Sequence, residues 1–158
     1  MDYTFSLAVS SDISKIVNIY RGLIGTPGCT WNTEYPNVVT AESDISSKSL
    51  YVLKNREEII AVVSAGSFGE LDHLKWKPKN PCELARIGVI TSMQKQGVGT
   101  IALKKVIAAM KEKNYDGIRM IVSKSNPAAL ALYDKNGFDM CGETFMYNID
   151  FYCYQMTI

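Results

Sequence analysis

The stretch that decides the fold is Glu83–Thr100: ELARIGVI at 83–90, then, after Thr91 and Ser92, MQKQGVGT at 93–100. The first part reads as a strand. The second hands it over to a helix predicted at 97–113, through two glycines, Gly97 and Gly99, with one residue between them. Glycine lets the backbone approach an anion closely, and the N–H groups of a helix's first turn have no partner inside the helix. The helix dipole adds partial positive charge there, so phosphate is the natural ligand. From Lys95 to Lys124, seven basic residues (Lys95, Lys104, Lys105, Lys111, Lys113, Arg119, Lys124) face Glu112 and Asp116, a local +5 in a chain of net charge +1. That suits a polyphosphate. The bland alternative is a glycine-eased turn beside a solvated lysine face.

Outward from this loop, the C-terminal side carries a strand at Gly117–Ser123 and a helix at Asn126–Asn136. Asn126 is placed as the helix cap, Pro127 as its first residue, and Gly137 where a left-handed residue is expected. Strands at 138–147 and 149–157 close the chain. On the N-terminal side, 3–9 reads as a strand. Ser10 or Ser11 caps a helix with apolar Ile13, Ile16, Val17, Tyr20, Leu23 and Ile24 at spacings of three and four. GTPGCTWNTEYP (25–36) is a loop set with aromatics, and 37–47 a short second helix. Leu50–Lys54 and Ile59–Phe68 form a hairpin, and 69–81, with His73 and Trp76, is an irregular polar connection. With no repeat, linker or low-complexity tract, residues 1–158 read as one α+β domain.

Three anion-loop patterns compete. A Walker loop needs a Lys-Ser/Thr pair after the second glycine, which is lacking. Gly97-x-Gly99-x-x-Ala102 does match the dinucleotide pattern. However, the next strand ends in Ser123-Lys124 where an acid is wanted, and only some 35 residues follow, too few for a second mononucleotide half. Gln94-Lys95-Gln96-Gly97-Val98-Gly99 fits the third pattern in full, the acetyl-CoA loop Gln/Arg-x-x-Gly-x-Gly/Ala.

With NPAALALYDKNGF (126–138) following in order and spacing, the chain resembles the GCN5-related N-acetyltransferase (GNAT) superfamily. The likeness runs over the whole element order, and motif by motif over 82–138. The tail, with Gly142 and then Phe151-Tyr152-Cys153-Tyr154, is loosely similar to ribosomal-protein N-terminal acetyltransferases. The resemblance implies a mixed, mostly antiparallel sheet splayed between its fourth and fifth strands, with helices on both faces. It implies that amides around Gln94 and at Gly97, Val98, Gly99 and Thr100 bind the pyrophosphate of acetyl-CoA. Main-chain groups of Ile87 and Val89 would then hold the pantetheine arm, with the Ile87 amide polarising the acetyl carbonyl. Asn126 would hydrogen-bond the pantetheine, and Tyr133 would protonate the departing thiolate. The proline often found two residues after the strand valine is Thr91 here, which bears only on local loop shape.

Acetyl transfer to an amine needs a neutral nitrogen, a stabilised oxyanion and a protonated leaving thiol. Glu83, fourteen residues before Gly97, is the candidate base. The competing readings are a water chain as base and a strand-mouth carboxylate paired with Arg86 or a lysine. Tyr133 otherwise reads as a core aromatic. Trp31, Glu34 and Tyr35 lie in the loop that borders the acceptor site in the superfamily, and Tyr147, Phe151 and Tyr152 are candidates for the opposite wall. Aromatics with an acid suit an ammonium. Core packing explains each aromatic equally well.

Composition bounds the rest. At 47% apolar and 21% charged, the chain is neither disordered nor collagenous, and its near-neutral balance does not suggest nucleic acid or membrane as a partner. MDYTFSLAVSSDISK has no basic start, and no apolar run is long enough to span a bilayer. Cys29, Cys82, Cys141 and Cys153 form no C-x-x-C pair, and His73 is the one histidine. Hence no metal site is expected, the thiols read as reduced in a cytoplasmic protein, and Cys82 reads as structural. The expectation is an acetyl-CoA-dependent transferase with a small-molecule or peptide amine as acceptor; a homodimer is allowed. A catalytically silent CoA-binding sensor on the same fold is the alternative.

Overall fold

Apolar periodicity places the elements where the sequence puts them, with ends shifted by a residue or three. The computed structural model describes residues 2–158. In chain order it contains β1 (Tyr3–Leu7), α1 (Ile13–Leu23), α2 (Val38–Ser46), β2 (Leu50–Asn55), β3 (Glu58–Gly66) and β4 (Pro81–Val89). There follow α3 (Val98–Glu112), β5 (Gly117–Ser123), α4 (Pro127–Lys135), β6 (Asp139–Met146) and β7 (Ile149–Thr157). The expected serine cap of α1 is replaced by a short 3-10 turn, Ser10–Asp12. There the buried Asp12 carboxylate accepts the Val9 N–H at 3.0 Å. For α4 the cap is as read: Asn126 Oδ1 accepts from the Ala129 N–H at 3.2 Å, and Gly137 follows at φ +85°.

The seven strands form one sheet in the order β1-β2-β3-β4-β5-β7-β6. Every neighbouring pair is antiparallel except β4–β5, which is parallel. That pair shares register at only three positions, Pro81↔Gly117, Cys82↔Ile118 and Glu83↔Arg119. Beyond Glu83 the two strands run on unpaired to Val89 and Ser123, so the sheet is splayed between its fourth and fifth strands as expected. The splayed end of β4 is the end that feeds α3.

Alternation along the strands divides the core. Val63, Ala65, Cys82, Leu84, Ile118, Met120 and Val122 pack with Leu103, Val106 and Met110 of α3 and Tyr133 of α4. On the other face, Val52 and Val62 pack with Ile16, Tyr20 and Leu23 of α1 and Ala41 of α2. No helix among the described residues covers that face over β5 and β7; the segment 67–80 does. Its Leu71 is buried, Trp76 donates to the Leu71 carbonyl and lies over Arg119, and Lys77 N–H donates to Gln155. Pro78 lies so close to Gly117 that a Cβ there would come within 2.3 Å of it. The supposed polar connection is therefore a packed layer. No helix among the described residues is long and apolar enough to cross a membrane.

Candidate active site

The glycine loop comes first. Gly97 caps α3 with φ +81°, a conformation that costs a side chain and not glycine. Its carbonyl accepts the Ile101 N–H at 3.1 Å, so helical bonding begins there and leaves the N–H groups of Val98, Gly99 and Thr100 without intrahelical partners. No side chain caps this end, and the space beside Gly97 is open for 4 Å. These features fit a phosphate group. The Gln94 amide differs from the others, because it already donates to the Thr91 carbonyl at 3.3 Å. The Gln94 side chain donates to the Val89 carbonyl at 3.1 Å, tying the loop to the strand that leads into it. The local +5 does not gather at this loop. Lys111 and Lys113 stand at the far end of α3, about 20 Å away at 1.5 Å per residue. Arg119 is buried in ion pairs, and Lys124 is paired with Glu143.

The gap beside β4 comes next. Register against β3 slips between Val62↔Gly88 and Ser64↔Ala85, so Arg86 and Ile87 together oppose Val63. This is a β-bulge, and Arg86 takes φ +49° within it. Ile87 therefore has no register partner on β3, and none on β5 because the strands have parted. Across the gap, the loop after α1 reaches the start of α4. A Cβ on Gly28 (φ +81°) would lie 2.8 Å from Asn126 Cα. Asn126 Oδ1 is engaged in its own cap, which leaves its amide NH2 for other partners.

At the vertex, where pairing stops, Glu83 and Arg119 are register partners and form a buried ion pair, Nη2–Oε1 2.6 Å. Glu83 Oε1 also accepts the Leu71 N–H at 3.2 Å, while Oε2 accepts no hydrogen bond among the described residues. Asp72 meets the same Arg119 nitrogen at 2.5 Å. The partner of Glu83 is thus Arg119, neither Arg86 nor a lysine. Arg86 is bound instead to Asp44 of α2, by Nε–Oδ2 and Nη2–Oδ1 contacts of 2.9 Å each, and donates to the Tyr35 hydroxyl at 2.8 Å.

On the opposite face of the sheet, Tyr133 is buried against Phe138 and Tyr154. Desolvation raises its phenol well above the usual range, and its hydroxyl makes no hydrogen bond among the described residues. Cys82 is fully buried, its thiol pushed up to about 12 mainly by desolvation, so it is a packing residue and no nucleophile. The three acceptor-side residues lie in one loop beside β4 and meet different partners. Trp31 packs edge-on against Tyr20 and sits over Gly88, Glu34 is exposed, and Tyr35 engages Arg86. Tyr147, at the β6–β7 turn, reaches the other rim and donates to Glu70 at 3.1 Å. Tyr152 lies on the α4 face with Lys124 over its ring, so it is no partner of Phe151 in one wall. Among the described residues, no group of three or more His, Cys, Asp or Glu side chains is placed to hold a metal. A concavity along α1, lined by Ser10, Ser14, Asn18 and Arg21 and by Val38 at the start of α2, includes none of these residues.

Asp44, Ser64, Phe68 and Asp72 escaped the reading of the sequence, and Arg119 entered it only as part of the basic run. Nothing local marks them: each is a single polar or aromatic residue whose partner is 18 to 47 positions away. Arg86 was visible only as a neighbour of Glu83.

An open helix terminus thus stands at the mouth of a splayed parallel strand pair. The particular family follows from comparison: the chain belongs to the Acetyltransferase (GNAT) family, whose pattern matches residues 16–138. Solved structures share the fold. The chain superimposes on a GNAT-family acetyltransferase from Streptococcus agalactiae 2603 with a TM-score of 0.83 at 20% identity, over 99% of this chain and 95% of that one. The ribosomal-protein-S18-alanine N-acetyltransferase of Escherichia coli gives 0.77 at 20% identity, over 99% and 94%. The Salmonella typhimurium protein yncA, solved with its cofactor acetyl-CoA, gives 0.79 at 16% identity, over 99% and 94%. No curated protein matches the sequence.

Proposed function

We propose that this protein transfers the acetyl group of acetyl-CoA to a primary amine, on a small molecule or a peptide N-terminus, by direct transfer in a ternary complex. The observation that carries this reading is the three-residue β4–β5 pairing, with the unpartnered α3 amides at its open end. Residues 1–158 are taken as one transferase domain working in the cytoplasm, where its four free thiols stay reduced.

Acetyl-CoA supplies the activated carbonyl. The amides of Val98, Gly99 and Thr100 receive its pyrophosphate, and main-chain groups of Ile87 and Val89, with the Asn126 amide, hold the pantetheine. The Ile87 N–H, beside the gap and without a register partner, receives the oxyanion. Glu83 Oε2 takes the proton that the amine nitrogen sheds as it bonds to the carbonyl carbon. Tyr133 gives its proton to sulfur as the C–S bond breaks; desolvation keeps the phenol protonated until then. Glu34 and Glu70 leave negative charge at the rim, which favours an acceptor arriving as an ammonium; it releases one proton to solvent before the neutral nitrogen attacks.

Calorimetric titration with acetyl-CoA should give heat where NADPH gives none, and no response to millimolar acetyl-CoA refutes the proposal. Thiol release across polyamines, aminoglycosides, amino acids and peptides should then find an acceptor; binding without turnover on any amine favours the sensor. Tyr133→Phe should lower kcat about 10²-fold with acetyl-CoA affinity nearly unchanged. An unimpaired kcat removes Tyr133 from its role.

A further inference from the structure

We propose that Asp44 is a positioning residue for acyl transfer, holding the β4 bulge in shape through its bidentate ion pair with Arg86. The inference rests on the reading above, in which the Ile87 amide at that bulge receives the oxyanion.

Arg86 stands where a bulge of this hand normally has glycine. Its φ of +49° disfavours any side chain, so something must hold it there. The holding contacts are all on one side chain. Asp44 takes Nε and Nη2 at 2.9 Å each, and the Tyr35 hydroxyl takes Nη1 at 2.8 Å. The Phe68 ring lies 5.2 Å from the guanidinium carbon and the Tyr35 ring 6.0 Å. Burial works against the Arg86 charge, and Tyr35 and Asp44 more than offset it, so the guanidinium stays charged.

Asp44 is itself fixed. It is buried, and Ser64 Oγ donates to its Oδ2 at 2.7 Å. Ser64 follows Val63, the β3 residue opposite the bulge, so one carboxylate grips both strands at the irregularity. Without that grip, the relaxed state of Arg86 is an ordinary strand conformation. The extra residue would then have to be absorbed by a one-residue slip, and a slip turns every later side chain to the other face. Val89, beneath Gly99, and Gly88, beneath Leu23, would change sides, and the Ile87 amide would leave the gap. A buried ion pair is weak evidence for stability, since apolar residues fill such space at least as well. Its placement on the one strained residue beside the gap argues for position.

The test compares Asp44→Asn, Arg86→Ala and Arg86→Gly with wild type, using [1-13C]acetyl-CoA and the infrared stretch of its carbonyl when bound. In wild type the stretch should lie below that of free acetyl-CoA, as a hydrogen-bonded carbonyl does. Asp44→Asn and Arg86→Ala should return it toward the free value and lower kcat at least tenfold, by more than any rise in acetyl-CoA Kd. Arg86→Gly should restore most of both, because glycine adopts φ +49° unaided. Equal impairment of Arg86→Gly and Arg86→Ala overturns the proposal, as does a wild-type stretch and kcat in Asp44→Asn. If Asp44→Asn does not melt cooperatively, the alanine–glycine comparison decides alone. Failure of the wild type to bind acetyl-CoA is a separate result that overturns the functional reading, and this inference with it.

Discussion

Glu83→Gln separates the two jobs that the vertex gives this residue. Glu83 is 4% exposed and Arg119 8% exposed, and their 2.6 Å contact is shared with Asp72. Neutralising one member of a buried pair commonly costs about 3–5 kcal/mol, because the other charge is left uncompensated. Here Asp72 remains against the same nitrogen, but its side chain is 73% exposed, and exposed partners contribute about 0–1 kcal/mol. The expected loss is therefore about 2–5 kcal/mol. For a domain of this size that lowers Tm by about 4–20 °C. On the catalytic side, losing the proton acceptor should lower kcat about 10²–10⁴-fold. The two effects part company in Glu83→Gln/Arg119→Met. Removing both charges and filling the space with an apolar stem should return Tm to within about 3 °C of wild type. It should leave kcat as low as in the single variant. Thermal melts by circular dichroism and thiol release with the best acceptor read the two quantities. Should kcat recover along with Tm, Glu83 is structural and the base lies elsewhere. If Glu83→Gln melts like wild type, the account of the buried pair is wrong.

Other perturbations test other parts of the site. Gly97→Ala meets no atom within 4 Å, so its effect is confined to the backbone at φ +81°, about 1–2 kcal/mol. Acetyl-CoA Kd should rise about tenfold, and unchanged affinity would disconnect the α3 terminus from the cosubstrate. Gly28→Ala drives a Cβ to 2.8 Å from Asn126 Cα, which is backbone and cannot swing aside. The loop should lift off, lowering Tm by several degrees and weakening acetyl-CoA binding; a crystal structure with the loop still seated would contradict this. Desolvation by burial raises the phenols of both Tyr20 and Tyr133. A group raised in the folded state stabilises it in full below its unfolded pKa, about 10 for tyrosine, and that contribution is lost as pH climbs toward the folded value. Absorbance at 295 nm should show these two of the nine tyrosines titrating together with alkaline unfolding. Reversible titration of all nine with the fold intact would be the opposite result.

What was legible in the sequence was legible because it is local. Gly137 marks left-handed backbone, Asn126-Pro127 marks a helix start, and β5 and β7 appear with the ends that alternation gave them. The glycine loop could be read as an anion site because free amides at a helix terminus are a property of that turn alone. Glu83 was placed on the right strand, but its partner was not. Arg119 becomes its neighbour only through a parallel pairing, which joins strands 36 positions apart and leaves no trace in nearby spacing. The same holds for Asp44 and Arg86. The segment 69–81 looked like a loop because its packing residues, Leu71, Trp76 and Pro78, follow no period. The basic run misled for a complementary reason: fifteen helical residues carry charge that is adjacent in sequence to opposite ends of the domain.

The two ion pairs that escaped the sequence reading occupy the two places where β4 departs from ordinary sheet geometry. Glu83–Arg119 stands at the last paired position before the splay, and Asp44–Arg86 on the bulge three residues later. A sheet that opens gives up ladder hydrogen bonds, and nothing in apolar packing fixes where the opening starts, since hydrophobic contact has no direction. Charged hydrogen bonds do have direction, and a guanidinium with two carboxylate contacts admits little slip. On this argument, replacing both pairs together with apolar residues of equal volume would leave a folded domain of similar Tm whose β4–β5 opening no longer starts at one fixed residue. Amide exchange at residues 84–88 and 120–122 would be faster and less uniform than in wild type, although the melt hardly changed. Unchanged exchange in such a variant would mean that packing alone sets the vertex.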